Sequence, residues 1–386
     1  MPTTVGVASW RAAASVVGRW SVGPVAAVAV AVVVSAPAVA APTPVPAAAP
    51  GPGCPTPVDQ VVTEVSWAQL RLAPDLAWPS GRGRGIAIGV IGSGVDAAAP
   101  ALAGQVAVGA DIVTGRGFAN TDCLGVGTEM AGVAVARSRP GSGLVGIAPD
   151  ATVIPIRTGA ADGPRRSAQL SLGLQVAVSA GASVVMLAGA VDLTDADVAG
   201  AVRATTARDV VVVVAADQLV GDDRIPGMLR VGAVDAANRL IGDHQPDTVD
   251  VLAPGAVVVT LSANGSGEVV RTGSHLAVAF VAGLAAVVRS SSAGLSAITT
   301  TEQIKRTADR LGGVQPDPVT GWGLINPGKA VQAQPDEIDS SVEPAPSSTA
   351  RTDWSFALIG LVLISSILVG ALIAGRTWRA AARRPG

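Results

Sequence analysis

The chain has 386 residues, a net charge of −2 and only 15% charged side chains, so it offers no basic surface for a nucleic-acid partner. It contains no Tyr and three Phe, which makes aromatic stacking a minor recognition device. With both ends included it is too long for one single-core domain, and the ends differ in composition from the middle.

Residues 1–40 have the layout of a secretory signal peptide. Arg11 and Arg19 supply the positive region, Val25 to Val34 is a continuous apolar run, and Ala38-Val39-Ala40 is an A-x-A cleavage signal. An uncleaved anchor is the alternative, disfavoured because the run is short for a bilayer. Residues 41–57 form a Pro/Ala-rich arm with polyproline-like composition.

The body spans residues 58–331. Short continuous apolar runs at Ile86–Ile91, Val153–Ile156, Val184–Ala188, Val210–Ala215, Leu229–Val234 and Val249–Leu252 predict strands buried on both faces, as in a parallel sheet. Helices are predicted at Arg166–Ser179 and Asp195–Arg208, between strands. Leu276–Arg289 is apolar nearly all round and reads as a central buried helix. The expected fold is α/β, a doubly wound parallel sheet with helices on both faces and a site at the carboxyl ends of the strands.

Residues 332–353 read as a disordered linker rich in Pro, Ser and acidic residues. Residues 354–375 carry no charge and match the ~20 residues a transmembrane helix needs. Trp354 and Trp378 flank the run, and a basic tail at 376–386 follows with Arg376, Arg379, Arg383 and Arg384. The positive-inside rule then places the C-terminus in the cytoplasm and the body outside the cell membrane, in a single-pass topology. A buried core helix is the alternative, opposed by the polar linker and the Arg-rich tail.

Cys54 and Cys123 are the only cysteines. In the oxidising compartment that this topology implies, a disulfide between them would pin the arm to the body. Free or intermolecular thiols are the alternative. With two His, neither near a Cys in sequence, no metal site is expected.

Three segments carry the functional reading. They are Ile88-Gly-Val-Ile-Gly92-Ser-Gly-Val95, Val126-Gly-Thr-Glu-Met-Ala-Gly132 and Gly273-Ser-His275-Leu-Ala277 running on to Gly283. Further segments follow in order: Gly146-Ile-Ala-Pro-Asp-Ala151 with Val153-Ile-Pro-Ile-Arg157, Val231-Gly-Ala-Val-Asp235, Val249-Asp-Val-Leu-Ala-Pro-Gly255, Thr307-Ala-Asp309 and Gly321-Trp-Gly-Leu-Ile-Asn-Pro327. In sequence and order these resemble the motifs of subtilisin-like serine peptidases (subtilases, peptidase S8). The architecture is most similar to mycosins, the membrane-anchored subtilases associated with type VII secretion. That further resemblance rests on the signal peptide, the Pro-rich arm with Cys54, the Asp122-Cys123 pair and the single anchor.

The resemblance implies a subtilisin-like fold, no cofactor, and a type VII secretion membrane complex or its substrates as partners. It also implies that the family's catalytic Asp, His and Ser positions are Gly92, Val126 and His275. A serine triad needs a nucleophile, a base touching it and a carboxylate orienting the base. Glycine and valine supply neither carboxylate nor base. His275 is expected neutral, because the positive end of a helix disfavours an imidazolium. Gln218 falls at the oxyanion Asn position, one methylene too long, in Val211-Val-Val-Val-Ala-Ala-Asp217-Gln218. Ala188-Gly-Ala190 stands where a Ser-Leu-Gly type segment is expected. Loss of an oxyanion donor costs ~10²–10³ in rate and loss of the triad about 10⁶.

The first expectation is therefore a catalytically inactive subtilase homologue acting as a scaffold or peptide-binding module. The second is a serine-type endopeptidase with a rewired site drawing on Ser93, Asp96, Glu129, Ser274 and His275. A decaying duplicate is a third, opposed by the apolar strands and paired cysteines. His244, in the loop Gly242-Asp-His-Gln-Pro246, is expected to be solvated.

Overall fold

The computed structural model describes residues 54, 56–159, 167–313 and 315–333. The expected signal peptide, most of the arm and the linker, the membrane helix and the basic tail lie outside them.

The elements that position the site come in chain order. A short helix α1 (Trp67–Leu72) precedes strand β1 (Ala87–Gly92) and strand β2 (Ala110–Asp111). Helix α2 (Val126–Val135) leads to β3 (Thr152–Arg157), α3 (Ser167–Ser179), β4 (Val184–Leu187) and β5 (Val191–Asp192). Then come α4 (Ala196–Thr206), β6 (Val211–Ala215), β7 (Leu219–Val220), β8 (Met228–Val234), β9 (Leu240–Ile241) and β10 (Val251–Pro254). A hairpin of β11 (Val258–Leu261) and β12 (Glu268–Arg271) feeds α5 (Ser274–Ser291), followed by α6 (Ala297–Arg306) and α7 (Pro327–Gln332).

The main sheet runs β10-β8-β6-β4-β1-β3-β2, and each neighbouring pair in that path is parallel. β9 adds antiparallel to β8. The chain passes from one side of β1 to the other between β3 and β4, the kind of switch point where open α/β sheets form their crevice. The six expected strands are all present within one or two residues. Val211–Val214 shows why: β-branched side chains buried on both faces suit only a strand covered on two sides.

Two apolar cores lie on the two faces of the sheet. α5 and α2 belong to one, α3 and α4 to the other. Leu276 through Val288 of α5 are buried without interruption, as an all-round apolar helix requires. α5 is long and apolar enough to cross a membrane, yet it is the core helix of the body. At its far end Arg289 caps the fold, donating to the carbonyls of Ser183 and Asp209 and pairing with the Asp209 carboxylate.

The N-terminal segment is tied down three ways. Cys54 and Cys123 form a disulfide. The carbonyls of Val58 and Gln60 accept from the amides of Gly267 and Glu268. Asp59 accepts from the amide and hydroxyl of Ser266, both at 2.8 Å. The amide bond from Ser266 and then its hydroxyl hold the Asp59 carboxyl below the usual carboxylate range.

Some boundaries and pairings differ from the sequence expectation. α5 starts at Ser274 instead of Leu276, which puts His275 inside its first turn. α7 runs to Gln332, one residue into the expected linker. The antiparallel β11–β12 hairpin and the two-residue β5–β7 pair were not expected from the sequence.

Candidate active-site cleft

The loop before α2 fixes the first wall. Gly125 has φ 90° and no side chain to cap the helix, so the cap comes from Asp122. Its Oδ1 accepts from the amides of Leu124 (3.1 Å) and Gly125 (2.8 Å). Its Oδ2 accepts from the amide and hydroxyl of Thr128, both at 2.8 Å. A carboxylate at this end also meets the positive pole of the helix. Asp122 is fully buried, and burial raises its carboxyl pKa despite the opposing hydrogen bonds from Thr128, Gly125 and Ser93.

Ser93 and Asp96 serve the same frame. Ser93 Oγ accepts from the Gly127 amide at 3.1 Å, which ties the end of β1 to the start of α2. Asp96 accepts from the amides of Ala98 (2.9 Å) and Asn264 (2.8 Å), and the Thr128 hydroxyl accepts from the Asp96 amide. Both residues are buried, the Asp96 carboxylate on backbone amides and the Ser93 hydroxyl between the Gly127 amide and the Asp122 carboxyl.

Above this frame lies a cleft of about 470 Å³, walled by Val126, Gly189, Asp217, Gln218, Ser274 and His275 among others. Val126 begins α2, and Gln218 closes the short 3₁₀ turn after β6. Three of the four sequence-derived site positions, Val126, Gln218 and His275, therefore meet on one surface. Gly92 does not line it. It ends β1, where an added Cβ would stand 3.1 Å from the methyl of Ala188, the residue before cleft-lining Gly189.

His275 is the one imidazole on the cleft wall, and its environment is specific. Nε2 lies 3.1 Å from Glu129 Oε2, while Glu129 Oε1 accepts from Arg271 Nε at 2.8 Å. α5, α2 and β12 are thus joined through one carboxylate. The ring folds back over Gly273, where an added Cβ would come within 2.5 Å of it, so this ring position needs glycine there. The Glu129 carboxylate is a partner that the helix-terminus argument for His275 left out. Ser274 shares the first turn of α5, but the ring nitrogen that is engaged points to Glu129.

His244 departs from expectation. Its Nδ1 lies 3.1 Å from the Gly242 carbonyl, and its Nε2 is screened from solvent without a hydrogen-bond partner among the described residues. Gly242 of this loop rests against Asp217, and the His244 ring is half-buried between exposed neighbours.

Sequence reasoning missed Arg271, because it stands on an unexpected hairpin 142 residues from Glu129. No group of three or more His, Cys, Asp or Glu among the described residues is arranged to hold a metal ion. A second cavity, of about 250 Å³, lies at the amino end of β8. There the buried Arg230 makes a bidentate pair with Asp250 at 2.8 and 3.0 Å, which leaves its charges matched.

Comparison with known proteins identifies the family of the fold. The profile of the subtilase family, Peptidase_S8, matches residues 83–323. A thermophilic serine proteinase of Bacillus sp. (strain AK1) is 30% identical over 265 residues, covering 67% of this chain and 65% of that proteinase. Among solved structures, MycP1 with its N-terminal propeptide removed superimposes with a TM-score of 0.63 at 24% identity, covering 70% of this chain and 99% of MycP1. The MycP3 protease from the type VII (ESX-3) secretion system gives 0.61 at 25% identity, covering 76% and 99%.

Proposed function

The chain belongs to the subtilase family, and from that premise we propose that it is a mycosin-like member that has lost peptidase chemistry and acts as a scaffold or peptide-holding module at a type VII secretion complex. In this reading Gly92, Val126 and His275 stand at the family's Asp, His and Ser positions, and Gln218 at the oxyanion position. The observation that carries it is Val126 at the first turn of α2, on the cleft wall, facing a surface whose one imidazole is bound to a carboxylate. Valine moves no proton. His275 is not a hydroxyl nucleophile, and the ionisable first-turn side chains, His275 of α5 and Glu129 of α2, are engaged with each other and with Arg271.

The placement follows the sequence signals. Residues 1–40 direct the chain out of the cytoplasm, and residues 354–375 anchor it with the basic tail inside. The likeness to MycP1 and MycP3 supports a position beside a secretion complex. The cleft can still hold an extended peptide by strand addition without cutting it.

One observation favours a second reading. The Glu129–His275 pair has the form of a carboxylate-oriented base, so a serine-type peptidase with a rewired site is the competing function. A peptidase assay on the full-length protein separates the two. The expected result is no turnover above background, unchanged by His275→Ala. Robust turnover abolished by His275→Ala establishes the rewired peptidase. Purification in mild detergent is expected to bring secretion-complex components with the anchored chain, and their absence counts against the scaffold role.

A further inference from the structure

The cleft lies between the carboxyl ends of two adjacent parallel strands, β4 and β6, which pair from Val184–Val211 to Met186–Val213. After β4 the chain turns through Gly189, which brings no side chain to the wall. After β6 it turns through Asp217, whose side chain is the charged feature on that side.

Asp217 has no ion-pair partner among the described residues. Its Oδ1 is screened from solvent and accepts no hydrogen bond from them. Its Oδ2 rests against Gly242, where an added Cβ would sit 2.6 Å away. Gly242 also has φ +82°, so both backbone conformation and space hold it to glycine. The loop is therefore shaped around this carboxylate. The other acid at the cleft, Glu129, is already matched by Arg271 and His275. The uncompensated charge is the negative one of Asp217, and Asp243, exposed and next to Gly242, adds to it.

We infer that the cleft selects peptides carrying a Lys or Arg side chain, seated against Asp217. This rests on the peptide-holding form of the function proposed above. A screened carboxylate oxygen with no donor is unfavourable in the empty cleft, and a ligand donor removes that penalty. A guanidinium brings five donors and an ammonium three. The terminal torsion of Asp is broad, so a small rotation turns the shielded oxygen toward the incoming cation. The same charge repels acidic peptides, which gives discrimination as well as attraction.

The test uses full-length protein in detergent and fluorescein-labelled hexapeptides identical except for one central residue, Arg, Lys, Gln, Met or Glu, read by anisotropy. The Arg and Lys peptides are expected to bind about tenfold or more tightly than the Gln and Met peptides, with Glu weakest. Asp217→Asn is expected to shrink that gap to below about twofold, and Asp217→Glu to keep part of it. Thermal melting checks that each variant folds, and Asp217→Glu carries the test if the Asn variant does not. Binding that ignores charge overturns this inference and leaves the peptide-holding reading standing. A cation preference that survives Asp217→Asn overturns the assignment to Asp217. Binding of none of the peptides overturns the peptide-holding reading and this inference with it.

Discussion

Beneath the cleft, the buried carboxylate of Asp122 takes its hydrogen bonds mainly from backbone amides and Thr128, all within the loop and first turn it organises. On the cleft surface, Glu129 is held by two side chains from distant elements, and Asp217 keeps an oxygen with no partner. One set of polar groups is closed on itself through the backbone, and such a set specifies structure. The other depends on side chains and leaves capacity unused, and a ligand can act there. The frame belongs to a subtilase fold, while the cleft surface is held by side-chain pairs between distant elements and keeps one oxygen without a partner.

Two disruptions of the frame should have the largest effects. Replacing Cys54 and Cys123 by Ser opens a loop of sequence separation 69. The chain-entropy account gives about 4 kcal/mol for a loop of that order. Asp122→Ala leaves buried amides of Gly125 and Thr128 without acceptors and should cost about 3 kcal/mol, with Asp122→Asn costing less. Denaturant midpoints of the full-length variants measure both. The pH dependence of Asp122 has a definite sign. Burial raises its folded-state pKa, so its contribution favours folding at low pH and is lost as pH rises from the ordinary 3.8 through the raised value. The Asn variant should lose that slope. An Asp122→Ala variant as stable as the parent would break the distinction between frame and surface.

The strands and the α2 motif were legible in the sequence because each is local, whereas the bonds from Asn264 to Asp96 and from Gly127 to Ser93 join distant residues. Runs such as Val211–Val214 announce a strand covered on both faces, and the segment from Asp122 to Thr128 is one continuous stretch. The cleft surface was only half legible. Val126, His275 and Gln218 could be placed by their motifs, but Glu129, Arg271 and His275 come from three elements, and no sequence pattern joins residues 142 and 146 positions apart. The β11–β12 hairpin that carries Arg271 has two four-residue strands with unlike burial, Val258–Leu261 buried throughout and Glu268–Arg271 mostly open. That pattern has no sustained period to detect. The screened oxygen of Asp217 depends on how the Gly242 loop packs, which is a tertiary fact.

A surface change should be milder. Glu129→Gln keeps the shape of the side chain and removes the charge that holds Arg271, about half exposed, and His275. Its stability cost should be about 1 kcal/mol or less, because solvent screens the Arg271 pair. The larger consequence should be local, as a change in the His275 imidazole resonances by NMR. A loss comparable to that of Asp122→Ala would place Glu129 in the frame and blur the comparison.

The smallest effect concerns the arm, at the edge of both regions. Asp59 is exposed, and its bonds from the Ser266 amide and hydroxyl lower its pKa. Its contribution is therefore present above the ordinary 3.8 and is lost as pH falls through the depressed folded value. The carbonyl of Val58 also bonds the Gly267 amide, so loosening at Asp59 should reach the neighbouring rung. Amide hydrogen exchange at Ser266 and Gly267 should lose protection as pH falls below the ordinary 3.8 toward the depressed folded value, beyond the intrinsic change in exchange rate. In Asp59→Asn the protection at Ser266 should be lower at neutral pH and nearly independent of acid. Cys54 remains bonded to Cys123 throughout, so the arm should loosen at this contact without leaving the body. Protection that stays constant down to the acid limit would show that the paired carbonyls of Val58 and Gln60 hold the arm without Asp59.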